Sequence, residues 1–414
     1  MQDRTKFHVV KQDNFEFDKL GTTGISLHCH TRFSKEALDF LPIYAEKMPV
    51  ISKIYRTERD KYFERTGKTL NFQSSYWTPP LEPQQVYDSE KAQIKGSGLR
   101  ALISITDHDE IDGNFTIIDP DATEPVPVSL EWTVPFDYGF FHLGVHNLPR
   151  ENAEEIRQDL LDYTFGPNPT EERLTELFAM LNALPGVLIV FNHPFWDIEM
   201  AGRERHIQLL KRFIAGYKKW LHALEINGFR TWSENRAVIE LANEVEMPLV
   251  TGGDRHGCQA NSVINVTRAV TFDEFVSEVR VDKQSQLVVL PEYSKPMMSR
   301  VFQSFGHILG RYEDFPVGRQ RWFDRIYFDI DDGRGVLPLS MNGFVKGGPF
   351  WVRMAIRMLA LIGHPGFLPF FQLIRRRDDR VPDHIDRNID SGGYYQARFK
   401  PFFESRLEPV RSND

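Results

Sequence analysis

The stretch ISLHCHT, residues Ile25–Thr31, passes from apolar and β-favouring residues straight into two histidines. Alternate side chains of an extended segment point to opposite faces, so His28 and His30 are expected on one face and Cys29 on the other. The same form recurs downstream. ALISI (Ala101–Ile105) runs into Asp107, His108 and Asp109, and VPVSL (Val126–Leu130) ends in Glu131. GVLIVF (Gly186–Phe191) runs into Asn192, His193 and Pro194, while HALEIN (His222–Asn227) carries Glu225 and Asn227. PLVTG (Pro248–Gly252) leads into Asp254, Arg255 and His256, and QLVVL (Gln286–Leu290) closes the series.

Segments of helical period lie between these runs. Leu174, Leu177, Phe178 and Leu181 follow the i, i+3, i+4, i+7 rule behind Thr170 as N-cap; Val238, Ile239, Leu241 and Ala242 follow Ser233 as N-cap. Strand–helix alternation from about Ile25 to Leu290 predicts an α/β architecture, either a barrel or an open parallel sheet. Functional groups in such folds gather at the C-terminal edge of the strands, so the histidine and carboxylate segments are expected to converge in one mouth. Imidazole and carboxylate together suit zinc, manganese or iron. More than four such ligands imply more than one ion, with a carboxylate shared between two. A single HxH, Asp–His or Asn–His–Pro is an ordinary strand end or helix cap; the repetition along one edge is what points to metal.

The composition fits a soluble globular protein: 41% apolar and 26% charged over 414 residues. It excludes collagen-like, coiled-coil and disulfide-framework classes. Lys+Arg 50 against Asp+Glu 58 gives a net charge of −8, which argues against a nucleic-acid polymer as partner. Cys29 and Cys258 are the two cysteines, and MQDRTKFHVV lacks the apolar core of a signal peptide, so a reducing, cytoplasmic setting is expected. The expected organisation is a lead-in over 1–20, a metal-binding unit over 21–290 and a C-terminal extension over 291–414.

Two stretches break the alternation. Leu38 to Pro80 is an insert rich in Tyr, Lys and Arg, including Tyr44, Tyr55, Arg56, Arg59, Tyr76 and Trp77. An insert of that length is either a lid able to stack on a ring or a surface excursion. After Pro291, the segment FVKGGPFWVRMAIRMLALIGHPGFLPFFQLIRRR consists of two apolar pieces interrupted by Gly363, His364, Pro365 and Gly366. The break argues against a spanning helix, which needs about 20 uninterrupted apolar residues. A packed helical hairpin is expected, with a membrane-surface contact beside Arg353 and Arg357 as the alternative.

The ordered set HCHT, ITDHDEIDG, Glu131, FHLG, NHP and GGDRHG resembles the polymerase and histidinol phosphatase (PHP) superfamily over roughly Gly21 to Leu290. The resemblance implies a distorted (β/α)7 barrel holding two or three divalent metal ions that hydrolyse phosphate esters. It implies that His28, His30, Glu131 and Asp254 bind a first metal. Glu131 would bridge to a second held by His142 and His193, with His146 as an alternative ligand there. His108 and His256 would hold a third. The chain departs from the pattern at Ser26, where the family usually has Asp, and at Ser34–Lys35–Glu36, where it usually has Ser–Asp or a His. A protonated Lys cannot ligate. Glu36 is therefore the expected third-site ligand, with Lys35 turned toward phosphate.

These readings lead to a metal-dependent phosphoesterase acting on a small phosphorylated metabolite or nucleotide. Asp254 or His256 would relay a proton, and Arg32, Lys35, Arg230 and Arg255 would clamp phosphate, Arg255 foremost because it lies between two expected ligands. A polymerase-associated exonuclease is disfavoured, since no polymerase module is present. The competing classes are a metal-dependent hydrolase of carbon–nitrogen bonds, such as an amidohydrolase, and a degenerate barrel that binds metal or ligand without turnover.

Overall fold

The computed structural model describes residues 4–375, 380–382 and 385, apart from 12–14, 40, 48, 123, 198–200 and 344–345. The side chain of Tyr44 and most of the segment beyond residue 375 lie outside the described residues. In chain order the strands are β1 (Thr5–Val9), β2 (Thr23–Ser26), β3 (Glu36–Ala37), β4 (Tyr76–Trp77), β5 (Arg100–Ile103), β6 (Val128–Phe136) and β7 (Gly139–Leu148). They continue with β8 (Leu188–Phe191), β9 (Ala223–Asn227), β10 (Leu249–Gly252), β11 (Val263–Thr267), β12 (Ser285–Val289), β13 (Ile326–Asp329) and β14 (Val336–Pro338). The helices are α1 (Leu41–Lys47), α2 (Pro49–Thr66), α3 (Pro83–Gly96), α4 (Asp112–Phe115), α5 (Ala153–Thr164) and α6 (Glu171–Ala183). After them come α7 (Arg203–Tyr217), α8 (Trp232–Val245), α9 (Phe272–Arg280), α10 (Met297–Ile308), α11 (Phe350–Ile362) and α12 (Leu368–Ile374).

This is a mixed α/β architecture. One five-stranded sheet has the order β1-β12-β11-β2-β5 and another the order β10-β9-β8-β7-β6. The expected parallel alternation holds for β1–β12, β2–β5, β8–β9 and β9–β10. It is broken by antiparallel pairs: β6 and β7 form a hairpin, β7 pairs with β8, and β11 pairs with both β2 and β12. Strand pairing closes no barrel among the described residues. The two sheets are instead stitched together by local bonds. Asp109 N–H donates to Glu131 O (2.9 Å) and Glu131 N–H to Asp107 O (3.1 Å), joining the segment after β5 to β6. Asp254 N–H donates to His28 O (2.8 Å) and His30 N–H to Arg255 O (3.1 Å), joining the segments after β2 and β10.

Ile25 and Leu27 from one sheet meet Leu188, Val190, Ala223 and Val250 from the other in a buried cluster closed by Phe272, Phe275, Val276 and Val279 of α9. A larger cluster packs the second sheet against α5 to α8, and here the periodic stripe Leu174, Leu177, Phe178 and Leu181 is fully buried. Each such side chain removed from water contributes roughly 1.5–3 kcal/mol. Thr170 caps α6, its hydroxyl accepting from Arg173 N–H. The cap of α8 is Thr231 rather than Ser233: its hydroxyl accepts from Glu234 N–H, in the Thr-x-x-Glu spacing that suits a helix start.

Residues expected to stand outside the sheets are woven into them. Thr5–Val9, in the lead-in, is an edge strand paired with β12. The insert contributes α1, α2 and β4, and β4 joins β3, β13 and β14 in an antiparallel sheet, order β14-β13-β4-β3. Tyr76 of the insert stacks on Tyr327 of the extension, ring centroids 4.6 Å apart. At the far end, α11 and α12 are bent by 65° across the Gly363–Gly366 break and pack on α10 rather than forming a hairpin. A Cβ at Gly363 would lie 2.3 Å from the Phe302 carbonyl oxygen, so this close approach to α10 needs glycine. No single described helix is long and apolar enough to cross a membrane; α11 and α12 meet that measure only as a bent pair.

Candidate metal centre

β2 ends at Ser26, so His28 and His30 are not on a strand. The chain instead turns through a left-handed conformation at His28 (φ 63°), and His193 (φ 25°) and Asp254 (φ 49°) follow strand ends in the same region of backbone space. Histidine and aspartate tolerate that region better than β-branched residues do, and such strain gathers at functional sites. The two imidazoles still converge, with ring centroids 5.0 Å apart, while Cys29 is buried on the other side near Ser26. Glu131 lies inside β6, not at its end, and His142 lies on β7, a strand absent from the apolar-run pattern.

All nine side chains expected to ligate metal come together: six histidines (His28, His30, His108, His142, His193, His256) and three carboxylates (Glu36, Glu131, Asp254). They form overlapping groups whose ligand atoms lie within 4.8 Å of one another. Glu131, fully buried, is the hub. Its Oε2 faces His28 Nε2 (2.9 Å), His30 Nε2 (3.2 Å) and His108 Nε2 (3.4 Å). Its Oε1 faces His193 Nε2 (3.1 Å) and His142 Nδ1 (3.4 Å) and accepts from Asn192 Nδ2 (2.9 Å). Each carboxylate oxygen thus addresses its own set of imidazoles.

Further groups flank that hub. Asp254 Oδ1 lies 3.9 Å from His28 Nε2 and 3.8 Å from His30 Nε2, and its Oδ2 accepts from Arg230 (2.9 Å). Glu36 faces His256 Nε2 at 3.1 Å and His108 Nε2 at 3.4 Å. Ser34 positions Glu36 by donating to it (2.6 Å) and also accepts from His108 N–H (3.1 Å). Glu225 holds the frame: it bonds His28 Nδ1 (2.5 Å) and accepts from His193 N–H (2.8 Å) and from Asn227 Nδ2 (2.9 Å). A Cβ on Gly252 would lie 1.5 Å from Glu225 Oε1, so only glycine lets that carboxylate cross β10.

Electrostatics agree with a site built for cations. Burial pushes the Glu131 carboxyl up, but the neighbouring His28, His108 and His142 outweigh it and hold the pKa well below the usual carboxylate range. Burial also opposes ionisation of Glu36, which His256 and His108 overcome in the same way. Burial lowers His108, yet Glu36 and Glu131 raise it to about 10. His30 goes the other way, to about 4, through burial and then repulsion from His256 and His108. Among the described residues, His30 Nε2 and His142 Nδ1 are buried without a hydrogen-bond partner. Buried polar atoms are ordinarily paired, so these two open lone pairs beside a deprotonated carboxylate fit a divalent ion. The donor set of imidazoles and carboxylates can hold metal ions of the borderline class.

Not every expected residue reaches this centre. Arg255, expected to clamp phosphate and assist catalysis, is turned away from the cluster: its guanidinium bonds Glu90 (2.6 Å) and Gly257 O in a buried pair. Arg32 pairs with Glu82 and lies over Phe33, and Lys35 is exposed with its ammonium over the Tyr76 ring. Arg230 alone of the four expected phosphate contacts is at the cluster. His146 bonds Ser104 Oγ (2.7 Å) and is not in the ligand groups. Asp107 accepts from Thr31 N–H and hydroxyl, and Asp109 from Thr133 N–H, so both shape loops. In the insert, Arg56 is exposed and Arg59 pairs with Asp60, while the Trp77 ring approaches His256 (5.7 Å).

Sequence reasoning gave no role to Asn192, Ser34, Glu90 or Trp196. Asn192 and Ser34 lie inside the quoted motifs and were open to notice; Glu90 and Trp196 carry no local signal. A comparison with protein-family models gives no match, and a comparison with curated proteins likewise finds no similar chain.

Proposed function

We propose that this chain is a metal-dependent phosphoesterase with the (β/α)7-type barrel of the PHP superfamily spread over the two stitched sheets, acting on a small phosphorylated substrate. The observation that carries the reading is the division of labour at Glu131, one oxygen toward His28, His30 and His108 and the other toward His193 and His142. That orientation would let one carboxylate serve two ions. Divalent ions held there would lower the pKa of bound water and neutralise the nonbridging oxygens of a phosphate ester. The protein's own groups supply the rest. Glu225 fixes the ring of His28 through Nδ1, leaving Nε2 for the centre. Arg230 pins Asp254 through Oδ2 and presents a guanidinium at the rim, where it can meet a phosphate oxygen. Asp254 Oδ1 and His256 Nδ1, 3.7 Å apart, would relay a proton between the cluster and the rim through one intervening water. The two cysteines are unpaired, which suits the cytoplasmic setting proposed with this activity.

The test is a panel of phosphomonoesters, phosphodiesters and amides, assayed with added manganese or zinc. Phosphate release that disappears in His28→Ala and Asp254→Ala supports the assignment. Cleavage of amides alone rejects it.

A further inference from the structure

A cavity of about 240 Å³ opens beside the metal centre, and Glu36, Asp254 and His256 line both. Its remaining wall, with Ser304 and Arg230 in it, is mostly apolar: Trp77, Trp196, Phe229, Val301, Phe305 and Ile308. The last three come with Ser304 from one face of α10, at i, i+3, i+4 and i+7 spacing, so the C-terminal extension builds the outer wall. Among the described residues, Arg230 is the only Lys or Arg side chain in the lining. It is stacked 3.8 Å above the Trp196 ring and bonded to Asp254, on the side of the metal centre where the first phosphate would sit. A substrate whose phosphate sits at the cluster therefore sends its alcohol portion into a space with aromatic and aliphatic walls. Among the described residues the lining offers no further cation for a second phosphate, and away from the metal centre its polar side chain is Ser304. An apolar cavity of about 150 Å³ accepts benzene, so the present volume admits a ring with a short substituent.

From this we propose that the substrate is a phosphate monoester of an apolar, ring-bearing or branched alcohol. The proposal rests on the phosphoesterase reading for the phosphate half and on the cavity for the other. The test uses the metal-reconstituted full chain with two non-hydrolysable probes, phenylphosphonate and methylphosphonate, followed by calorimetry and tryptophan emission. Phenylphosphonate should bind at least ~10-fold tighter, and the preference should shrink to within about 3-fold in Phe305→Ser and Ile308→Ser. Equal affinities, with phenyl phosphate and glycerol phosphate hydrolysed alike, overturn the pocket assignment and leave the phosphoesterase standing. If neither phosphonate binds and no ester is cleaved, the phosphoesterase reading falls instead. Phenol, which needs no cation, then decides the pocket alone: it must perturb tryptophan emission in the wild type and not in Phe305→Ser.

A separate surface carries a second inference. On α11, Val352, Ile356 and Leu359 are half-buried, whereas Phe350 (68% exposed), Trp351 (46%), Met358 (57%) and Leu361 (60%) face outward. Phe370 (56%) and Leu373 (84%) extend the exposed face onto α12. From Phe350 to Ile374 there is no acidic residue, in a chain with 58 of them. Arg353 and Arg357, one turn apart, border the outward stripe. Thirteen helical residues span only about 20 Å against the ~30 Å of a bilayer core, so the geometry suits lying in the interface rather than crossing it. We infer that α11 and α12 dock on an anionic membrane surface, the aromatic and aliphatic side chains entering the headgroup boundary and the arginines meeting acidic lipid.

Full-length protein should co-sediment with phosphatidylcholine vesicles containing about one-third phosphatidylserine, and at least ~10-fold more weakly with phosphatidylcholine alone or at high salt. Met358→Glu with Leu361→Glu should abolish binding, while secondary structure by circular dichroism is unchanged. No binding by the wild type overturns the inference. So does a wild-type dimer that ignores vesicles and becomes monomeric in the double variant, which would make the face a contact between copies.

Discussion

Glu131 and Glu225 are both buried carboxylates, yet they do different things, and substitution separates them. Glu131→Gln removes the carboxylate proposed to be shared between ions, so its loss of metal affinity should exceed the roughly 10–100-fold typical of residues that only orient a ligand. Glu225→Gln should fall within that range, because His28 keeps its Nε2 but loses the carboxylate that fixes the ring. Competition with a chelating dye measures both; an unchanged affinity in Glu225→Gln would remove its positioning role. Arg255 calls for a different expectation. Its partner Glu90 is completely buried and also bonds Ser26 and the Asn261 amide. Arg255→Met strands that charge, and breaking a buried pair costs about 3–5 kcal/mol. The denaturation midpoint should therefore fall steeply while the metal affinity of the folded fraction stays near that of the wild type.

The strand positions were largely legible, because β2, β5, β8, β9, β10 and β12 coincide with apolar runs within a few residues. What ends each strand was not. His28, His193 and Asp254 adopt positive φ after the strand, and nothing in their spacing announces it. His28 and His30 were placed together by a period-two argument although the strand has already ended. The same argument, applied to Asp254–Arg255–His256, would have turned Arg255 away from its neighbours, as the Cys29–Arg255 bridge does. Adjacency to two ligands was mistaken for convergence with them. The β6–β7 hairpin does not show as an apolar run because the histidines of β7 interrupt the pattern, and the cap of α8 lies two residues ahead of Ser233 because Thr231 stands before a tryptophan. One element-level interaction has a pH signature. His222, at the entrance to β9, accepts from Ile189 N–H at Nδ1 (2.9 Å) and faces Asn182 Oδ1 through Nε2 (3.1 Å), so protonation breaks the first bond. Burial, with Arg280 nearby, lowers its pKa from 6.5 to about 3. The unfolded chain then binds the proton first. This contribution is complete above about pH 6.5 and is lost as pH falls toward 3, at ~1.4 kcal/mol per unit. Unfolding titrations at pH 7 and pH 5 should show a smaller difference in His222→Gln than in the wild type.

At the scale of the whole molecule, the ligands come from five separated segments: residues 28–36, 108, 131–142, 193 and 254–256. An ion bound at their meeting point ties all five, and anything that binds only the folded chain stabilises it, by about 2.7 kcal/mol at a hundred times its dissociation constant. Treatment with a strong chelator should lower the thermal midpoint by several degrees, and stoichiometric zinc or manganese should restore it; a midpoint indifferent to both would count against a bound ion. The C-terminal extension was opaque in the sequence because its partners are remote. β13 pairs with β4 of the insert, and α10 covers a cavity whose other walls lie some 45 to 270 residues earlier in the chain.

That arrangement has a practical outcome for anyone choosing where to cut this polypeptide. A fragment stopping after β12 would retain every proposed ion ligand and so pass a metal-content assay. It would also lose Val301, Phe305 and Ile308 and leave β4 paired with β3 alone, exposing Trp77 and Trp196 to water. Such a truncation would report faithfully on the inorganic half of the site and misreport its selectivity.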